Sequence, residues 1–234
     1  MGAASDTSSG HTPGGSGSDH SPRWRRLLTA EAGLGIATAA LGTFLSFSAG
    51  GFFPGTTAIA ALSVLALLVV FVSVARHPAS ALGWRLIGAV TALALFALWQ
   101  LLSAGWSDAP GRAIIASHLT LFYVLVLTAA GLIVDRPSRM RAVLVGITVA
   151  FVVASVAGLL SRTLPDLFPV TPGPGDDERL NFPLTYWNAV GIVGALGILL
   201  CLGLTTSRSE HRVTRVLAAA AVTALAATVF FTFS

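Results

Sequence analysis

The strongest constraint in this sequence is a repeated length. Seven times the chain runs for about twenty residues through Leu, Val, Ala, Phe and Gly, over 27–48, 57–75, 84–104, 113–134, 142–161, 184–206 and 213–233. About 20 consecutive apolar residues is what a helix needs to cross the hydrocarbon core of a bilayer. Water is absent there, so each spanning segment must satisfy its own backbone hydrogen bonds, which an α-helix does. The runs are apolar on every face and lack the two-residue alternation of a membrane β-barrel strand. The predicted fold class is all-α: a polytopic transmembrane helix bundle of about seven helices.

Composition agrees with that reading. Hydrophobic residues make up 54% of the 234 and charged residues 10%, whereas a soluble domain carries ~25% charged residues. Too little polar surface is available to coat a water-soluble globule. Residues 1–22, MGAASDTSSGHTPGGSGSDHSP, contain no Leu, Ile, Val or Phe and are predicted to form a disordered tail. The run that follows Arg23, Arg25 and Arg26 is longer than the ~7–15-residue core of a signal peptide and reads as an uncleaved first span.

All fourteen basic residues are Arg, and the formal net charge is +4. A basic soluble domain would point to nucleic acid. Here the arginines fall in short clusters between apolar runs, which points to membrane orientation instead, and nucleic acid is not an expected partner. Eleven of them (Arg23, Arg25, Arg26, Arg76, Arg85, Arg136, Arg139, Arg141, Arg208, Arg212 and Arg215) lie in one alternate set of loops, and Arg112, Arg162 and Arg179 lie in the other. Seven crossings require this alternation, so the charges support the helix count independently. The positive-inside rule then predicts a cytoplasmic N-terminus in the cytoplasmic (inner) membrane. Cys201 is the single cysteine, so no intrachain disulfide forms.

The polar chemistry gathers in two outer loops. The longer, 162–183, holds five prolines and the run Asp176, Asp177 and Glu178. That run reads as a solvated loop rather than a metal site, and no metal or cofactor is expected. Arg179 precedes the sixth span. Thr185 is predicted to cap its helix, with Tyr186 and Trp187 at interfacial depth and Asn188 about one turn inside, facing the bundle. In the functional reading Arg179 meets an anionic group, which its planar fork suits, while Tyr186 or Asn188 orients that group. The plainer reading is an aromatic belt with a helix cap.

The shorter outer loop, 103–112 (SAGWSDAPGR), offers Trp106 as an anchor and Ser107 or Asp108 as a cap. Pro110 falls in the first helical turn, and Asp108 is spaced to pair with Arg112. His118, about a turn and a half further in, is the candidate acid or base; a neutral histidine bonded to a neighbouring helix is the alternative. Glu31 is expected at the interface, paired with Arg25 or Arg26. Gly191, Gly194, Ala195 and Gly197, like Gly33 and Gly35, are expected to let helices approach closely. No phosphate-binding glycine loop, metal-ligand spacing or nucleophile motif is present in the sequence.

Residues 179–191, RLNFPLTYWNAVG, resemble the "GR…PL-YWNA-G" signature of actinobacterial members of the O-antigen ligase/polymerase family. The stretch from Trp106 to Ala113 is similar to that family's "WS-x-x-P" outer loop, and Gly50-Gly-Phe-Phe-Pro54 to its segment after the first helix. The terminal Phe231-Thr-Phe-Ser234 resembles the start of its "TxSRG" helix. The resemblance covers about residues 25–234. It implies a membrane glycosyltransferase that moves a glycan from an undecaprenyl-pyrophosphate carrier to an acceptor hydroxyl at the outer face of the membrane. Arg179, Tyr186, Asn188 and Arg112 are the implied substrate-binding residues.

In the family the main catalytic groups are arginines of the "SRG" helix and a histidine in a later outer loop, both beyond Ser234. The seventh run also stops within its own last turn, so the sequence is expected to be the N-terminal part of a longer protein. Two other readings remain: a non-catalytic membrane module, transporter-like or a scaffold of envelope assembly, and an inactive truncated fragment.

Overall fold

The computed structural model describes residues 23–75, 83–170 and 179–233. Among these there are seven α-helices and no strand: α1 (Arg23–Phe47), α2 (Pro54–Val74), α3 (Trp84–Ser103), α4 (Pro110–Ile133), α5 (Pro137–Thr163), α6 (Trp187–Thr206) and α7 (Arg212–Thr232). All seven are long and apolar enough to cross a membrane, and the chain is a multi-pass membrane protein. The N-terminal tail, Arg76 and the run 176–178 lie outside the described residues.

Helix ends depart from the apolar runs where local backbone chemistry decides them. Pro54, Pro110 and Pro137 open α2, α4 and α5, since a proline in the first turn lacks only an N–H that would be unpaired anyway. Thus α4 begins three residues before its apolar run and α5 five, which takes Arg139 and Arg141 into the helix. In the other direction, α6 begins only at Trp187, because Thr185 takes a left-handed φ of 64° that no helix can include.

The helices form two linked groups. In one, α4 packs between α2 and α3; in the other, α5 packs against α1 on one side and the α6–α7 pair on the other. Val64 of α2 and Ala129 and Ile133 of α4 form a core that also receives Leu34 and Leu41 of α1, which joins the groups. Many large apolar side chains point outward, Trp84 at 79% exposure and Leu62 at 66% among them. In water such a surface would aggregate; in lipid it is the solvated face.

Close approach in the second group depends on small residues. On α5 they fall at every fourth position: Ala142, Gly146, Ala150, Ala154 and Gly158. A methyl group placed on Gly146 would lie 2.5 Å from the carbonyl oxygen of Gly35, and one on Gly42 2.8 Å from Ala150 Cβ. Gly194 and Gly197 likewise admit Val229 and Leu225 of α7. Ala195 is exposed and takes no part, and Gly33 has open space around it, so the small-residue contact on α1 starts at Gly35.

Hydroxyls along the spans donate mostly to their own helix. Thr38 reaches the Leu34 carbonyl, Ser63 that of Ile59, Thr128 that of Val124 and Thr148 that of Leu144. This satisfies the hydroxyls without a partner helix. Between helices, Thr120 of α4 donates to Gln100 Oε1 of α3 at 2.6 Å, and Ser117 donates to the Ala97 carbonyl at 3.1 Å.

Candidate functional site

The end of the bundle remote from the arginine-rich loops holds the residues with chemistry. Its scaffold is the segment 179–186, laid across the ends of α1, α5 and α7. Leu180 is buried, and its N–H donates to the Phe231 carbonyl at the end of α7, 3.0 Å away. The Phe182 carbonyl sits 2.7 Å from where a side chain on Gly158 would begin, so the segment lies directly on α5. The Phe182 ring meets Phe47 of α1 edge-on at 5.8 Å. Leu184 rests near Gly50, in the turn between α1 and α2 where Ala49, Gly50 and Gly51 all have positive φ. The glycines tolerate that conformation without a steric penalty. Thr57 Oγ1 donates to the Gly51 carbonyl at 2.7 Å and holds the turn to α2.

With the backbone fixed this way, the polar side chains of the segment are left on the surface. Arg179 is exposed, and its Cζ lies 5.1 Å from the centroid of the Trp187 ring. A guanidinium over an indole face is held by the ring quadrupole while its N–H donors stay available. Arg179 makes no hydrogen bond or ion pair among the described residues. Tyr186 stacks obliquely on Trp187 at 5.3 Å, and Asn188 Nδ2 donates to Tyr186 Oη at 2.7 Å. Trp187 thus meets both the Arg179 guanidinium and the Tyr186 ring, and Asn188 is tied to the Tyr186 hydroxyl. A planar cation with free donors can hold a phosphate-type anion.

Several local expectations change. Thr185 does not cap α6: Tyr186 is the N-cap residue and no side chain closes the helix start. The left-handed turn at Thr185 is the reason, since it places that residue outside the cap position. Asn188 is the second residue of α6 and is exposed, rather than one turn deep and facing the bundle. Neither Ser107 nor Asp108 caps α4, whose N-cap is Ala109; Ser107 Oγ accepts the Ala109 N–H at 3.1 Å instead. Asp108 therefore precedes the helix, the four-residue spacing to Arg112 is not helical, and the two form no ion pair. The side chains of Arg25 and Arg26 lie outside what is described, so the expected pairing of Glu31 with them does too.

Arg112 and His118 lie on α4, which has no extensive contact with α5, α6 or α7. Arg112 is exposed in the first turn of its helix. His118 lines a groove of about 450 Å³ between α2 and α4 whose walls are otherwise almost wholly apolar, apart from Thr57. It makes no hydrogen bond among the described residues, so the expected bond to a neighbouring helix is absent. The candidate residues are thus divided: Arg179, Tyr186 and Asn188 lie on the second helix group, and Arg112 and His118 at separate positions of α4 in the first.

The arginine-rich end carries the most buried charge among the described residues, which sequence reasoning missed. Glu210, between α6 and α7, has a side chain only 3% exposed, and both its oxygens accept from Arg141 of α5 through Nε and Nη2. The Arg141 hydrogen bonds and charge hold the Glu210 carboxyl below the usual carboxylate range, against the opposing effect of burial. Elsewhere at this end arginines complete helix C-termini: Arg139 Nη1 donates to the Ile133 carbonyl at 3.2 Å and Arg215 Nε to that of Thr205 at 2.9 Å. Among the described residues no group of three or more His, Cys, Asp or Glu is arranged to hold a metal ion. No protein-family model matches the chain, and no curated protein or solved structure matches it either.

Proposed function

We propose that the chain is a membrane glycosyltransferase of O-antigen ligase/polymerase type. It transfers a glycan from an undecaprenyl-pyrophosphate carrier to an acceptor hydroxyl at the outer face of the cytoplasmic membrane, with its N-terminus in the cytoplasm. The observation that carries the reading is Arg179, fixed over Trp187 with its hydrogen-bond donors free, on the indole that Tyr186 also packs against. These residues belong to the stretch that resembles the family signature. Departure of pyrophosphate develops negative charge, and donors already in position stabilise that charge best. Arg179 then contacts the pyrophosphate, and Tyr186 and Asn188 orient the carrier and its first sugar. Arg112 offers a second cation at the same end of the bundle. No proton transfer is assigned to His118, which faces a groove on the other helix group.

The arginine distribution supports the orientation by the positive-inside rule. The back-bonded hydroxyls count against a transporter, because among the described residues they leave no polar ladder across the bundle.

The test is binding of undecaprenyl pyrophosphate to the purified protein in lipid nanodiscs. A charge-assisted hydrogen bond is worth about 1.5–3 kcal/mol, so Arg179→Ala should weaken binding roughly tenfold or more. Arg179→Lys should recover part of the loss. Equal affinity for the native protein and Arg179→Ala would remove Arg179 from the site and the proposal with it.

A further inference from the structure

At the arginine-rich end, two grooves meet at one side chain. The first, of about 400 Å³, lies between α1 and α5; the second, of about 580 Å³, lies between α5 and α6. Each is apolar along most of its length, and Ser138 and Arg141 of α5 line both. Glu210 occupies only the Nε and Nη2 edge of Arg141, and the side chain remains 53% exposed, with no hydrogen bond from Nη1 among the described residues. Glu31 lines the first groove and weighs against an anion there. Arg208 lies in the chain between Ser207 and Ser209, which line the second groove, and Arg212 opens α7 two residues after Glu210; both arginines are exposed and make no hydrogen bond or ion pair among the described residues, so the turn beside that groove carries a surplus of positive charge.

We propose that the paired grooves and Arg141 form a site for one anionic phospholipid, whose two acyl chains straddle α5 and whose headgroup phosphate meets Arg141, Arg208 and Arg212. Two apolar channels that converge on one oriented cation match two chains that converge on one phosphate. Basic pockets between spanning helices hold anionic headgroups by this combination of charge and hydrocarbon burial. The occupant comes from the bilayer itself, and the inference does not depend on glycan transfer. Bound there, the lipid would join α1, α5 and α6 at the end where Glu210 already joins α5 to the α6–α7 turn.

The protein should be purified in mild detergent, supplied with equal amounts of phosphatidylglycerol and phosphatidylethanolamine of the same acyl chains, and weighed by native mass spectrometry. Phosphatidylglycerol should be retained about tenfold over phosphatidylethanolamine. Gly203→Leu fills the second groove without a clash, since nothing lies within 4 Å of a Cβ at that position; it should lower retention about tenfold. The pair Arg141→Gln with Glu210→Gln, which leaves no lone buried charge and keeps Arg208 and Arg212, should lower the preference for the anionic lipid. Should that pair fail to fold, Gly203→Leu decides alone. Equal retention of the two lipids, undiminished retention in Gly203→Leu, or displacement of the lipid by glycerophosphoglycerol (the headgroup without chains) would each overturn the proposal.

Discussion

Glu210 is nearly sealed from solvent, while Arg141, which meets both of its oxygens, is half exposed. The desolvation cost therefore falls mainly on the carboxylate, and the pair holds only as long as that carboxylate is charged. Its acidity in the folded protein is greater than in the unfolded chain, because Arg141 favours the ionised form more than burial opposes it. The resulting stabilisation is complete above the unfolded value of about 4.3 and is lost as pH falls through the lower, folded value. Thermal unfolding followed in detergent should show a midpoint that is flat near neutrality and drops below about pH 4. In Glu210→Gln the midpoint should be lower at neutral pH, by the equivalent of about 2 kcal/mol, and the acid drop should shrink. An acid drop of unchanged size in the variant would assign it to other carboxylates. Little of this was legible beforehand. Glu210 reads as one acid among arginines in a short loop, and its partner lies 69 residues away, so only the approach of α5 to the α6–α7 turn reveals the contact. Arg179 shows the opposite case: its place before an aromatic pair was plain in the sequence, and the structure adds the ring on which it rests.

Glycine on these helices divides into positions that carry an interface and positions that do not, and spacing alone separates them poorly. Gly33 and Gly35 look equivalent in the sequence, yet a Cβ on Gly35 meets the Ala142 carbonyl oxygen at 3.1 Å and one on Gly33 meets nothing within 4 Å. The two are about 200° apart around a helix, so only one can face α5. Gly146 is the tightest point of that interface, with Gly35 O, Thr38 Cβ and the Ala39 nitrogen all within 3.2 Å of a added Cβ. Backbone atoms cannot move aside as a side chain can. Gly146→Leu should therefore drive α1 from α5 and cost roughly 3 kcal/mol or more, as overpacking at its severe end does. Gly33→Leu should stay within about 0.5 kcal/mol of the native protein, as an ordinary surface change does. Limited proteolysis and the thermal midpoint in detergent measure both, and similar losses in the two variants would contradict the interface described. The start of α6 was misplaced for a related reason. Hydropathy continues smoothly through Pro183 and Leu184, whereas the left-handed turn at Thr185 depends on how the segment meets α1, α5 and α7.

At the scale of the molecule, seven apolar spans and alternating arginine clusters could be read directly, because burial in lipid is imposed residue by residue along the chain. The division into two helix groups could not, since lipid-facing and helix-facing apolar residues look alike in sequence. That division puts Arg112 and His118 on one group and Arg179 on the other, although the loops before α4 and α6 are both arginine-poor. Everything proposed for Arg179 then depends on which side of the membrane these loops occupy. Cys201 is fully buried, so the native chain is a low-reactivity background for thiol labelling. Single cysteines should be placed at two exposed positions of the arginine-poor end, Ser107→Cys and Asp166→Cys, and two of the arginine-rich end, Ser138→Cys and Ser209→Cys. In intact cells a membrane-impermeant maleimide should label the first two, and the second two should react only after permeabilisation, as the positive-inside rule predicts from the eleven of fourteen arginines that lie in the second set of loops. The reverse pattern would turn Arg179, Tyr186 and Asn188 toward the cytoplasm, where no glycan presented at the outer face could reach them. A mixed pattern, with Ser107→Cys and Asp166→Cys on opposite sides, would mean that one of α4 and α5 does not cross, and the two helix groups would then need a different place in the bilayer.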